Sequence, residues 1–171
     1  MIEEIYLKDK SSQNKIEEIV TSFYFPWFYN SFTSFNDKGE KHQYIHGIVK
    51  PESGDEICSP WGKEILSFFS NLPEFKTHRL FRAKINLNNP YKKRNAIYPH
   101  QDDVNPLAIS YLYYCIDSDG HSKFFLNRWR TKKVLPEKGK LVRFPSNMLH
   151  SGNIPFKYER RIVLNLVFLP N

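Results

Sequence analysis

Apolar positions along this chain change their spacing near residue 80. Before it, Ile16, Ile19, Val20 and Phe23 fall at the i, i+3, i+4, i+7 positions of an amphipathic helix over residues 12–23, with Ser12 placed as N-cap and Pro26 just beyond. A second helix is predicted with Ser59 as N-cap and Pro60 at its first position, running through Trp61, Ile65, Phe68, Phe69 and Leu72 and closed by Pro73. Between them FYFPWFY is too aromatic for a solvated loop and is expected to pack the first helix onto the body. QYIHGIV reads as a strand inside the Gly-, Lys- and Asp-rich segment 36–56. After residue 80 come short β-like runs: LFRAKINLN, LAISYLYYCI, SKFFL, KLVRF and RRIVLNLVFL. Asn89-Pro90, Ser118-Asp119-Gly120, Pro136 to Gly139 and Pro145-Ser146-Asn147 punctuate them as turns. The pattern predicts a mainly β chain with flanking helices (α+β), its strands spaced as in a sandwich or barrel.

Length and composition narrow this further. The 171 residues fit one domain, 1–171, with a helical support over about 1–75 and a β core over about 80–170. With 40% hydrophobic and 25% charged residues the chain looks like an ordinary globular protein, and its 16% aromatic content suits strands. No apolar run approaches the roughly 18 residues of a membrane span, and MIEEIYLKDK does not read as a signal peptide, so a cytoplasmic protein without membrane association is expected. Cys58 and Cys115 show no C-x-x-C or zinc-finger spacing and are expected as two buried free thiols. The formal charge of +7 fits an acidic partner or a solvated surface equally. The clusters Lys92-Lys93-Arg94 and Arg128 to Lys133 are short and accompany no nucleic-acid-binding motif, which ranks nucleic acid below small-molecule and peptide partners.

The chemistry-bearing pattern begins at His100-Gln101-Asp102. In a strand, side chains two apart share a face, so H-x-D sets an imidazole beside a carboxylate. Two histidines and one carboxylate on one face of an octahedral metal leave the other positions open, as a non-haem Fe(II) oxygenase requires. A hydrogen-bonded surface pair would look the same. His150 is the third candidate: it follows the turn Pro145-Ser146-Asn147, precedes Gly152 and leads into the last apolar run, placing it at a strand edge that folds back beside H-x-D. His121, in Asp119-Gly120-His121, is a rival at what reads as a hairpin tip. His42 and His46 have helical metal-site spacing, yet in a strand they stand about 13 Å apart. Arg161 shares a strand face with Val163 and Asn165, and a buried guanidinium there suits bidentate pairing with a carboxylate; Arg160 points the other way, and either could be the inward one.

Taken together, H-Q-D at 100–102, H-S-G at 150–152 and R-I-V-L-N at 161–165 resemble the signature of the Fe(II)/2-oxoglutarate-dependent dioxygenase superfamily, closest to its prolyl-4-hydroxylase-like branch of small bacterial and phage-type oxygenases. The resemblance covers roughly residues 80–170. It implies a double-stranded β-helix (a jelly-roll, cupin-like) with the N-terminal helices bracing its outer side. It further implies Fe(II) held by His100, Asp102 and His150, 2-oxoglutarate as co-substrate with Arg161 on its distal carboxylate, and O₂ as oxidant, with succinate and CO₂ released as a substrate is hydroxylated. Tyr114 is similar in place to a family tyrosine on the same carboxylate, and a core aromatic would occupy that position as readily. Asn86 joins the pocket if it points inward with Lys84 and Asn88. The branch implies a peptidyl proline or another amino-acid-like substrate, while a free amino acid or small metabolite fits as well. The loop from Asn89 to Pro99 is long and basic, and Lys92 to Arg94 could border the entrance.

Three rival readings fit the same residues. A non-catalytic jelly-roll would bind a ligand or partner without turnover. A nucleic-acid-directed oxygenase would want an arginine further along the last strand, where Leu166, Val167 and Phe168 stand. A cupin-type enzyme would load another metal without an oxoacid.

Overall fold

The structure is a computed structural model that describes residues 1–31, 42–51, 56–90 and 97–171. The basic cluster at Lys92 to Arg94 and most of segment 36–56 outside its strand lie beyond the described residues. Ten strands and three helices follow one another as β1 (Glu3–Tyr6), α1 (Lys10–Thr21), β2 (Phe28–Asn30), β3 (Gln43–Val49), α2 (Gly62–Ser67), α3 (Glu74–Thr77), β4 (His78–Asn88), β5 (Ile109–Tyr114), β6 (Ser122–Phe125), β7 (Thr131–Val134), β8 (Lys140–Pro145), β9 (His150–Gly152) and β10 (Arg161–Pro170). They build a seven-stranded sheet ordered β1-β8-β5-β10-β4-β3-β2 and a three-stranded sheet ordered β7-β6-β9, antiparallel throughout. This is the mainly β jelly-roll with flanking helices that the sequence pattern and its resemblance led to expect.

Strand β10 is the hub, paired with β4 on one side and β5 on the other. Eight consecutive residues, Arg161 to Phe168, are buried, because both faces of this strand are covered. One face sends Ile162, Leu164, Leu166 and Phe168 into a core with Ile85 of β4 and Tyr113 of β5, closed over by Ile16, Ile19 and Val20 of α1, by Phe25, and by Ile65 and Leu66 of α2. The other face meets the small sheet, where Leu112, Tyr114, Val142, Phe144 and Val163 pack on Phe124 and Val134. Period-two alternation therefore sorts β10 into a structural side and a side that lines the space between the sheets.

Several local expectations are corrected. Asp9, not Ser12, caps α1: its carboxylate accepts the N–H groups of Ser11 and Ser12, each at 3.0 Å. The helix stops at Thr21 because Ser22 leaves helical geometry, so Phe23 falls off the apolar face and is 95% exposed. Ser59 accepts the Trp61 N–H at 3.2 Å, but it is not the cap: α2 begins at Gly62 with Trp61 in the capping position, and it ends at Ser67. Phe69 and Leu72 bond three residues back rather than four, which tightens 68–72 into turns, and Pro73 opens α3 instead of closing a long helix. Cys115 is buried as expected, whereas Cys58 is exposed, and both thiols are free. Among the described residues no helix is long and apolar enough to cross a membrane.

Leu164, fully buried where β10 meets the helices, tests the hub. Leu164→Ala should lower unfolding free energy by about 2–5 kcal/mol, read from the denaturant midpoint; a loss near that of a surface substitution would show that the helical cover is not part of the cooperative unit.

Candidate metal centre

The space between the sheets narrows to a pocket lined by His100, Asp102, His150, Lys84, Asn86 and Arg161, among others. His100 is not in a regular strand, contrary to the alternation expected for H-x-D. It makes an isolated antiparallel bridge to His150 at the start of β9, each backbone N–H donating to the other's carbonyl at 2.9 Å. Asp102 is placed by its own N–H donating to the Ser146 carbonyl at 2.9 Å. Backbone bonds thus converge the three side chains, and one donor atom from each lies within 4.8 Å of the others.

Both imidazoles are oriented alike. His100 Nδ1 lies 3.0 Å from the Tyr98 carbonyl and His150 Nδ1 lies 2.9 Å from the Met148 carbonyl. A carbonyl can only accept, so each ring carries its proton on Nδ1 and turns Nε2, with its lone pair, inward. Burial, then repulsion from His150, holds His100 below the ordinary imidazole range, with Asp102 opposing. Asp102 is almost fully enclosed. Burial alone would raise its carboxyl, but His150, Arg82 and Asn165 hold it far below the usual carboxylate range. Arg82 Nη2 donates to Oδ1 and Asn165 Nδ2 to Oδ2, each at 2.9 Å, fixing the carboxylate plane. Alternation along β10 puts Asn165 on this face but names no partner for it, and Arg82 escapes the motifs, its signal being the alternation of Arg82, Lys84, Asn86 and Asn88 along β4.

At the other end of the pocket Arg161 is buried and Arg160 is exposed, which settles which of the two points inward. Its Nε donates to the Gly120 carbonyl at 2.7 Å and its Nη2 to Ser122 Oγ at 2.8 Å; among the described residues no carboxylate pairs with it. Close packing leaves no room for a side chain at Gly120, where a Cβ would lie 2.5 Å from the Asn153 carbonyl oxygen. A Cβ at Gly120 would lie 2.8 Å from Arg161 Cδ, and one at Gly152 would lie 3.4 Å from Nη1. Tyr114 sits behind the pocket wall: its hydroxyl donates to Ser122 Oγ at 2.8 Å, so it reaches Arg161 through Ser122 while its ring belongs to the inner core. Asn86 does face the pocket, with Lys84 and Asn88 on the same side of β4. Asn86 Oδ1 and both polar atoms of Asn88 are buried without a hydrogen-bond partner among the described residues.

The other histidines lie outside this cluster. His121 is not at a hairpin tip; it sits where the chain crosses from β5 in the large sheet to β6 in the small one, its ring beside Asn153 Nδ2 at 3.0 Å. His46 is buried in the β3 wall between the Pro26 carbonyl and Ser59 Oγ, a structural pair of bonds, and burial lowers its pKa.

Two imidazole nitrogens and one carboxylate on one side of a partly open pocket suit a divalent first-row metal. Co(II) titrated by calorimetry should bind the wild type and lose at least about 100-fold in His150→Ala; Asn165→Ala should cost about 10- to 100-fold through the freed carboxylate, and His121→Ala should change nothing. Metal competes with protons for the His100 Nε2 lone pair, and the depressed His100 pKa moves that competition to lower pH. Protonation of His100 should therefore cost Co(II) affinity only below about pH 6.5, the ordinary imidazole value, as calorimetry across pH will show.

No family model matches the chain, and no curated protein matches it in sequence. Solved structures do share its fold. An oxidoreductase of the 2OG-Fe(II) oxygenase family from Burkholderia pseudomallei superposes with a TM-score of 0.75 at 15% identity, over 98% of this chain and 84% of that one. A prolyl hydroxylase from Trichoplax adhaerens, in complex with a hypoxia inducible factor oxygen degradation domain peptide fragment, gives 0.70 at 16% identity, over 99% and 83%. HygX from Streptomyces hygroscopicus, with nickel and 2-oxoglutarate bound, gives 0.69 at 10% identity, over 99% and 83%. The chain is thus built on the jelly-roll fold that these oxygenases share.

Proposed function

We propose that this protein is an Fe(II)- and 2-oxoglutarate-dependent oxygenase that hydroxylates a small-molecule or peptide substrate. One observation carries the reading: two histidines and a carboxylate close enough to hold a metal line the same pocket as a buried arginine that has no carboxylate partner among the described residues. A desolvated cation needs an anion, and a dicarboxylate anchored at Arg161 with its other end at the metal meets that need. The oxygenases that share the fold, one of them with 2-oxoglutarate bound, support it.

The donor set fits Fe(II), which would be held by His100, Asp102 and His150. Held there beside 2-oxoglutarate, the metal would activate O₂, the oxidant, one oxygen atom entering succinate as CO₂ leaves and the other entering the substrate as hydroxyl. What the chain contributes is position. The Tyr98 and Met148 carbonyls fix the tautomers of both histidines, and Arg82 with Asn165 holds the Asp102 carboxylate to one orientation. Arg161, steadied by Gly120 and Ser122, would take the distal carboxylate, with Tyr114 supporting Ser122 from behind. Gly152 keeps the approach to Nη1 clear. Asn86 and Asn88 offer unpartnered polar atoms along the pocket wall to a bound oxoacid or substrate.

As part of the same reading, residues 1–171 form one domain, in which α1 and α2 brace a core whose larger sheet takes β1, β2 and β3 from the first 75 residues as well as the later strands. A cytoplasmic setting is supported by two thiols left unpaired.

The test is succinate formation by anaerobically Fe(II)-loaded protein given 2-oxoglutarate and then O₂. Slow turnover without a prime substrate is expected, abolished in His150→Ala. Arg161→Ala should raise the KM for 2-oxoglutarate at least about tenfold, as loss of a charged hydrogen-bonded pair implies, and Arg160→Ala should leave it unchanged. Absence of both succinate and 2-oxoglutarate binding would sink the proposal in favour of a binding protein.

A further inference from the structure

Lys84 is a cation inside the pocket for which the reading above has no use. It lies on β4 opposite Asn165 of β10, one position along the inward face from Asn86, in the pocket that holds the triad. Its nearest charged neighbours are Arg82 and Asp102, and Asp102 already has both oxygens engaged by Arg82 and Asn165. Among the described residues the Lys84 ammonium has no hydrogen-bond or ion-pair partner. Burial, with repulsion from Arg82, pulls its pKa down to about 8, so it still carries its charge at neutral pH.

Charge balance makes this informative. With a divalent metal and a doubly charged oxoacid bound, those two cancel, and Asp102 is offset by Arg82. Arg161 and Lys84 remain as an excess of positive charge in a partly desolvated space, and in the reading above the oxoacid's distal carboxylate goes to Arg161. A lysine kept there at the cost of desolvation is best matched by a second anion.

Position says where that anion comes from. Lys84 and Arg82 also line a neighbouring open cleft of about 870 Å³, walled by Phe28, Ile45 and Val49 along β2 and β3. That volume is in the range of small-molecule sites. Lys84 therefore lies between the metal pocket and a cleft with largely apolar walls, and neither Asp nor Glu is among the described lining residues of that cleft.

Resting on the oxygenase reading, we infer that Lys84 is a specificity-determining residue that binds an anionic group of the prime substrate, a carboxylate or phosphate carried close to the carbon to be oxidised. The substrate class is then a small acid, such as a free amino acid presenting its α-carboxylate, rather than a proline in the interior of a peptide, which has no charge at that distance. The apolar cleft takes the remainder of the molecule.

The experiment uses full-length protein loaded with Ni(II) and 2-oxoglutarate without O₂, and reads binding by calorimetry. The probes are inorganic phosphate and the free L-amino acids, each amino acid paired with its N-acetyl carboxamide. At least one anionic probe should bind while its neutral amide does not; Lys84→Met should weaken it at least tenfold, Lys84→Arg should keep it within threefold, and 2-oxoglutarate affinity should stay within twofold in both variants. Phosphate binding alone identifies a phosphate ester as the source, and amino-acid binding a carboxylate. The inference is overturned if no anion binds, if anions bind wild type and Lys84→Met alike, or if Lys84→Met loses 2-oxoglutarate, which would place Lys84 in the co-substrate's own subsite. Lys84-dependent anion binding in Ni(II)-loaded protein that takes no 2-oxoglutarate would support the anion site and overturn the oxygenase reading instead.

Discussion

The two backbone hydrogen bonds between His100 and His150 hold the pocket together. Neither belongs to a continuous ladder, yet they tie the irregular segment after β4 to the first residue of β9. Without them the two imidazoles would sit on separate elements with nothing to fix their separation. With them, ring centroids stand 4.6 Å apart and the Nδ1 atoms find carbonyls two residues upstream in both cases. The same geometry repeated on facing segments is what an antiparallel bridge produces, and it turns two ordinary histidines into a pair of inward lone pairs.

Around that bridge the electrostatics are layered. Asp102 is enclosed and held ionised by Arg82, Asn165 and His150, while Arg161 is enclosed with no carboxylate beside it among the described residues. A buried carboxylate with its partners is a finished arrangement. The Arg161 guanidinium has the Gly120 carbonyl, Ser122 Oγ and the face of the Tyr114 ring but, among the described residues, no anion, and neither has the Lys84 ammonium. The cost of burying charge is met internally for Asp102 and stands open at the two cations.

Much of this was legible in the chain. The long strands announced themselves by apolar runs, and H-x-D, the later histidine and the arginine eleven residues beyond it could be named because metal ligation and anion pairing restrict residue type. What stayed hidden was set by tertiary contact. β1, β2, β7 and β9 are three or four residues long and too polar or too short to show a period. Asp9 captured the cap from Ser12 because a carboxylate two and three residues ahead of the orphan N–H groups satisfies both, a choice that the apolar spacing does not encode. Tyr114 could be read as ligand-binding or core because its two ends do different things: the ring packs inward and the hydroxyl reaches Ser122. The partners of Asp102 come from 20 residues before it and 63 after it, distances that no local pattern reports.

The small sheet carries a further implication. His150 lies opposite Phe124 and Gly152 opposite Ser122, so the triad's last histidine and the floor beneath Arg161 are two residues apart on one strand, with Ser122 pinning the guanidinium from the next. Two residues of extended chain span about 6.8 Å. The separation between the two ends of the pocket is thereby written into strand register, not into any side chain, and it cannot be adjusted gradually: slipping β9 by one residue would turn His150 out of the pocket altogether. The small sheet acts as a ruler, and a ligand held at both ends is chosen by its length before any of its chemistry is read.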